Sequence, residues 1–197
     1  MKINKNIIFT SILVFLAISF SFKGALTANN NVINEISPND KVAYFASGCF
    51  WCVEAIFESV IGVEEAISGY AGGHTKNPTY KSTGTGTTGH SETVAVYYDP
   101  KKVSFETLVT VYFGSHDPTT VNGQHPDYGS QYRSIAFYNT DSEKQIIDTA
   151  IAKLNSEIYN GKIATEVTKH TKFYKAEEYH QNFEKRNPNQ GYVKAVS

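Results

Sequence analysis

A chain of 197 residues has room for one substantial core plus a short terminal segment, and 41% hydrophobic with 19% charged residues is ordinary for a folded globular domain. The formal net charge is −1 and Lys and Arg are scattered along the sequence. That leaves no electrostatic footprint for phosphate backbones or anionic lipid surfaces, so nucleic acid is not an expected partner.

Lys2 and Lys5 precede an apolar stretch from Ile7 to Phe22, and the small residues Gly24, Ala25 and Ala28 follow. Charged, then apolar, then small is the order of an export signal. Residues 1–28 are therefore expected to direct export, to a periplasmic or secreted location, with an uncleaved membrane anchor as the alternative. Residues 29–40 are polar, contain Pro38 and read as a tether, so the folded domain is expected over 41–197. Lys41 to Ser47 is a short β-prone run stopped by Gly48, and Val53, Ile56, Phe57 and Val60 recur at helical spacing behind it. A helix is expected from about 49 to 61, then a strand over Val63 to Ala71. A loop rich in Gly, Thr and Ser runs from Gly72 to Gly89 and carries Tyr80; Ser91 to Tyr98 is a third strand closed by Asp99 and Pro100. Ser104 caps a helix to about Gly114, with Phe105, Leu108, Val109 and Tyr112 on one face. The long loop from Ser115 to Ser130 holds His116, Asp117, His125 and Asp127, and loops of that length in a small domain are usually functional. A strand over Gln131 to Tyr138, a helix over Ser142 to Tyr159, a strand over Ala164 to Lys169 and a closing helix over Ala176 to Lys185 complete the reading. That order suits an α+β two-layer sandwich, helices packed on a mixed sheet.

The chemistry begins where the first strand turns into the first helix. Backbone N–H groups at a helix opening have no intrahelical acceptor, and with the helix dipole they stabilise a negative sulfur, so Cys49 stands where a thiolate is favoured. Cys52 is three residues on, close enough in a helical first turn to form a C-x-x-C redox pair with it. A static disulfide closing so short a loop would be a poor structural staple, which favours the redox role. No metal is expected, because there is no second Cys pair and none of the six His falls at a zinc-finger spacing. From the C-x-x-C pair alone, a thiol:disulfide oxidoreductase is the alternative.

Six runs then occur in order: Gly48-Cys49-Phe50-Trp51-Cys52; Ser68-Gly69-Tyr70-Ala71-Gly72-Gly73 with Asn77-Pro78-Thr79-Tyr80; Thr88-Gly89-His90-Ser91-Glu92; Tyr98-Asp99-Pro100; Asp127-Tyr128-Gly129-Ser130-Gln131-Tyr132-Arg133-Ser134; and Ala176-Glu177-Glu178-Tyr179-His180-Gln181. Over Val42 to Tyr192 the chain thereby resembles the A class of peptide methionine sulfoxide reductases. The resemblance implies a ferredoxin-like core within the sandwich. It also implies reduction of the S epimer of methionine sulfoxide, free or in oxidised peptides and proteins, with no bound organic cofactor. By the same resemblance Cys49 is the nucleophile and Glu92 the acid that must be protonated to act. Tyr80 and Tyr132 hold the sulfoxide oxygen through their hydroxyls, Asp127 is a carboxylate of the same pocket, and Phe50 and Trp51 cradle the substrate methyl. His90 and His180 are expected to make structural hydrogen bonds. Where many members carry a regenerating cysteine near the C-terminus, this chain has Val193. Cys52 or an external thiol is then left to resolve the sulfenic acid on Cys49, with a thioredoxin-like electron donor on the exported side and a monomeric enzyme.

Overall fold

The computed structural model describes residues 39–196, so the expected export segment and nearly all of the tether lie outside the described residues. In β1 (Lys41–Ala46) alternate side chains separate into two cores, as the two-residue period of a strand requires. Ala43 and Phe45 join the larger cluster, while Tyr44 and Ala46 join a smaller one on the opposite face. The elements that follow are α1 (Phe50–Glu58), β2 (Val63–Ala71), α2 (Tyr80–Thr83), β3 (Ser91–Tyr98), α3 (Phe105–Gly114), β4 (Gly123–Gln124), β5 (Asp127–Tyr128), β6 (Ile135–Tyr138), α4 (Asp141–Leu154), β7 (Glu166–Lys169), β8 (Phe173–Lys175), α5 (Phe183–Arg186) and α6 (Gly191–Val196).

Six strands make one sheet in the order β7-β6-β1-β3-β2-β8. All neighbours are antiparallel except β6 and β7, so the sheet is mixed as expected. The inner four strands, with α1 and α3 as their crossovers, form the ferredoxin-like split β-α-β pattern. The helix-side core holds Phe45, Phe57, Val94, Val96, Leu108 and Tyr112, all fully shielded from solvent. Its aromatic members interlock, with Phe45 stacked on Phe57 and on Tyr112 at 5.0 Å each. The Ser104 hydroxyl accepts from the Thr107 amide at 3.1 Å and caps α3 as its sequence requires.

Three expectations are corrected. The strand placed from Gln131 begins only at Ile135, because Gly129 at φ 137 opens a short 3-10 turn over Ser130–Tyr132. The closing helix over Ala176 to Lys185 does not form. Behind β8, which ends at Lys175, its residues form a 3-10 turn at Glu178–His180 and the one-turn α5 instead. Gln181 and Asn182 break it, since the Gln181 amide spends its hydrogen bonds on the Ser68 backbone, and Asn182 is left-handed, offering its N–H to the Glu54 carboxylate. The long helix ends at Leu154 in a π-turn closed by left-handed Asn160. Close approach also explains one glycine of the second run: a Cβ on Gly69 would collide with the Phe173 ring and the Tyr174 carbonyl of the neighbouring β8.

Candidate active site

β1 ends at Ala46 and Gly48, at φ +98, turns the chain toward the helix layer. Cys49 follows as the N-cap of α1, extended at φ −61 and ψ 121, its side chain free of any capping bond. The sulfur thus stands at the open N–H end of the helix, where the nearby Trp51 amide favours its anionic form. The Cys49 thiol is held below its ordinary range, chiefly by a hydrogen bond from the Cys52 thiol, and further by the Tyr192 hydroxyl and the Trp51 amide. Burial and the Asp127 charge oppose this. The same contact pushes Cys52 strongly upward, because its hydrogen bond to Cys49 is its largest perturbation. The pair thus divides into one thiolate and one thiol, and both cysteines are free.

Glu92 reaches the site from the sheet. In β3 it shares the helix-facing side with Val94 and Val96, lies opposite Tyr70 in β2, and is 3% exposed. Its Oε2 accepts from the Phe50 amide at 3.0 Å, the residue next to Cys49. Burial first, and then the charge of Cys49, raise its pKa well above the ordinary carboxylate value. Tyr80 opens the short helix α2, which Thr79 and Ser82 cap reciprocally. Tyr132 ends the 3-10 turn after β5. Burial raises Tyr80 to about 12 and Tyr132 higher still, and the charges acting on both include Glu92, Asp127 and Cys49. The hydroxyls are therefore neutral donors across the physiological range. Cys49, Glu92 and Asp127 all act on the Tyr80 and Tyr132 hydroxyls, so the five residues lie within electrostatic reach of one another.

The apolar wall is equally local. Phe50 is fully buried and touches Tyr80 at 6.2 Å between ring centres and His180 at 5.0 Å. Trp51 donates from Nε1 to the His180 Nδ1 at 3.0 Å, stacks on Phe183 at 3.8 Å and meets Tyr192 edge-on at 5.8 Å. His90 takes the Gly73 amide at 3.1 Å and lies 2.9 Å from the Thr75 carbonyl, so both histidines make hydrogen bonds that hold loops and rings in place. Among the described residues no group of three or more His, Cys, Asp or Glu side chains could hold a metal ion.

Similarity to known proteins coincides with this cluster. The family model described as peptide methionine sulfoxide reductase matches residues 41–197. The chain belongs to the peptide methionine sulfoxide reductase family. "Peptide methionine sulfoxide reductase MsrA 1" of Rhodopirellula baltica is 50% identical over 159 residues, 81% of this chain and 82% of that protein. The crystal structure of Mxr1 from Saccharomyces cerevisiae in reduced form superposes with a TM-score of 0.74 at 33% identity, covering 79% of this chain and 91% of that one. Mxr1 in complex with Trx2 superposes with a TM-score of 0.55 at 26% identity, covering 76% and 88%. Membership displaces the alternative of a thiol:disulfide oxidoreductase on a thioredoxin-like scaffold.

Three polar residues of this reductase's site were not singled out by sequence. Tyr192 gives its hydroxyl proton to Asp127 and also acts on Cys49, tying α6 to the pocket. Glu177 accepts the Tyr80 amide at 3.0 Å on one oxygen and the Tyr70 hydroxyl at 2.9 Å on the other. Glu54, 1% exposed on α1, accepts from Ser68 and from the Asn182 amide, and burial raises it to about 7. A carboxylate set between Val53 and Phe57 in an apolar helix stripe was the available signal for Glu54. Glu177 lay inside a motif and Tyr192 beside Val193, with nothing in the spacing to assign them.

Proposed function

We propose that this reductase acts on methionine S-sulfoxide, peptide-bound or free, through the cluster around Cys49. The Cys49 thiolate attacks the sulfoxide sulfur while Glu92 delivers a proton to its oxygen and the Tyr80 and Tyr132 hydroxyls hold that oxygen. The oxygen passes to Cys49, whose sulfur is oxidised to a sulfenic acid, and methionine leaves with its sulfur reduced. Phe50 and Trp51 receive the methyl group. Burying one methyl contributes only about 0.8 kcal/mol, so shape rather than affinity selects side chain and epimer. Asp127, held by Tyr192, binds the substrate backbone or orients its neighbours. Cys52 then attacks the sulfenic acid, and a thioredoxin-like dithiol reduces the resulting disulfide. The yeast relative crystallised with Trx2 and the Val193 in place of a distal cysteine support this route. The order of charged, apolar and small residues over 1–28 supports repair of exported proteins, and the enzyme acts as a monomer.

One observation carries the chemistry: a sulfur favoured as anion stands beside a carboxyl favoured as acid, both fixed at the first turn of α1. Stoichiometric turnover of dabsyl-methionine sulfoxide without reductant, followed by intact mass, tests it. Cys49→Ser is expected to give no product. Cys52→Ser is expected to release one equivalent and retain a sulfenic acid, whereas the wild type loses two hydrogens as a disulfide. Product from Cys49→Ser would end the assignment.

A further inference from the structure

The apolar wall of the site continues outward to the surface. Its floor is the imidazole of His180, fully buried, which meets Phe50 at 5.0 Å and Tyr80 at 4.4 Å between ring centres and accepts the Trp51 Nε1 proton at 3.0 Å. The Tyr179 ring packs on that same imidazole, with centres 4.1 Å apart, yet 58% of the residue is open to solvent. Its backbone is not free to swing away. Glu177, two residues before it, holds the Tyr80 amide at 3.0 Å and the Tyr70 hydroxyl at 2.9 Å, and its carbonyl accepts the His180 amide at 2.9 Å. On the other side the Arg186 guanidinium donates to the Glu178 carbonyl at 2.9 Å. The turn over Glu178–His180 is thereby tied to β2, α2 and α5, and it holds one exposed aromatic ring against the buried ones.

We propose that Tyr179 is a specificity residue: its ring is a ledge for the residue next to methionine sulfoxide in a peptide, and it makes the enzyme favour an aromatic neighbour there. This rests on the cluster around Cys49 being the sulfoxide site. A methionine side chain is short, so a substrate whose methyl reaches Phe50 and Trp51 keeps its main chain at the mouth of the site. The residues on either side of it then lie over the rim. Phe50, His180 and Tyr179 form one unbroken run of ring contacts from the methyl cradle to that rim. A tyrosine fixed through its backbone offers a broad apolar face at small entropic cost, while its hydroxyl stays in water. Glu178 beside it is paired with the Lys175 Nζ at 3.1 Å, so the ledge is bordered by an ion pair rather than a lone charge, which suits a neutral occupant. Free methionine sulfoxide has no such neighbour and gains nothing from the ledge.

Two end-blocked peptides with a central methionine S-sulfoxide test this, one flanked on both sides by Phe and the other by Gly, assayed with the full chain and dithiothreitol as reductant. The wild type is expected to reduce the Phe-flanked peptide with a kcat/KM about two- to tenfold higher, the worth of one aromatic contact, and the difference should lie in KM. Tyr179→Ala should abolish that preference, and Tyr179→Phe should keep it. A merely structural effect passed through His180 would slow both peptides alike and leave their ratio unmoved. Equal kcat/KM values in the wild type, or a preference that survives Tyr179→Ala, overturn the ledge. A wild type that reduces neither peptide, or a Cys49→Ser variant that reduces both, overturns the sulfoxide site instead, so the two failures are distinct.

Discussion

Replacing Glu92 by Gln separates what burial of this side chain does for chemistry from what it costs the fold. Gln keeps the length and an oxygen able to accept the Phe50 amide at 3.0 Å, so the α1 opening stays in place. It has no acidic proton for the sulfoxide oxygen. General acid catalysis contributes about 10²–10⁴-fold, so single-turnover release of methionine is expected to fall at least about 100-fold, roughly 2.7 kcal/mol of barrier. Stability moves the other way. Folding raises the Glu92 pKa well above its ordinary value of 4.5, first through burial and then through the Cys49 charge. A group raised in this manner favours the folded state fully below its unfolded pKa, and that contribution is lost as pH rises toward the folded pKa. The loss is at most about 1.4 kcal/mol per pH unit for one proton. Gln escapes it, so urea midpoints of the two proteins, comparable near pH 4, should separate upward in favour of the variant. Activity retained within about threefold would remove Glu92 as the acid, and a variant less stable at every pH would remove the cost assigned to its burial.

Glu177→Ala strips two donors, the Tyr80 amide and the hydroxyl of fully buried Tyr70, of their acceptor. It should lower stability by about 1–3 kcal/mol per stranded donor and slow the sulfoxide step by loosening Tyr80, while Glu177→Gln retains most of both; urea titration and single-turnover assays read the two effects. His116 is held neutral between the Tyr112 carbonyl at 2.7 Å and the Ser134 hydroxyl at 2.8 Å, and burial lowers its pKa from 6.5 to about 4. The unfolded chain binds more protons in that window, so stability is lost as pH falls from 6.5 to 4, by about 3 kcal/mol from this group. A His116→Gln variant should show a flatter urea midpoint over the same range.

The sheet and the helices on it were legible because each carries its period within one segment. Ser91 to Tyr98 and Phe105 to Gly114 appear where alternation and the Ser104 cap put them. What failed to read is where tertiary hydrogen bonds override local preference. Residues 176–185 carry helix-forming composition, yet Gln181 clamps Ser68 and Asn182 turns left-handed to meet Glu54, partners 113 and 128 residues away. At the site, Cys49 and Cys52 were legible from a Gly stop followed by a helical stripe. Glu92, Tyr80, Tyr132 and Asp127 came only from likeness to a family, since a lone carboxylate at a strand start or a tyrosine in a loop has no local signature. The supporting carboxylates Glu54 and Glu177 are fixed by contacts no spacing rule contains.

The pocket holds several acids but accommodates few buried charges, and the number of donors decides which group keeps its proton. Glu92 has one donor, the Phe50 amide, against nearly complete burial, and stays protonated. Cys49 has more support, from the Cys52 thiol first and then from Tyr192 and the Trp51 amide beside it, and is favoured as the anion. Each anion makes the other costlier, so the assignment of nucleophile and acid is one competition rather than two independent shifts. Tyr192→Phe perturbs that competition from the side of the sulfur. It removes a polar hydroxyl from beside Cys49 and frees the Asp127 carboxylate that holds its proton, leaving a charge that already opposes the thiolate. Both changes raise the Cys49 pKa. One charge-assisted hydrogen bond is worth about 1.5 kcal/mol, close to one pH unit. Iodoacetamide alkylation in a Cys52→Ser background, where the serine hydroxyl still donates and only one thiol remains, should show its midpoint about one unit higher in the Phe variant. An unmoved or lowered midpoint would mean that the anion is held by the helix opening and residue 52 alone, and that α6 takes no part in setting the charge of the site.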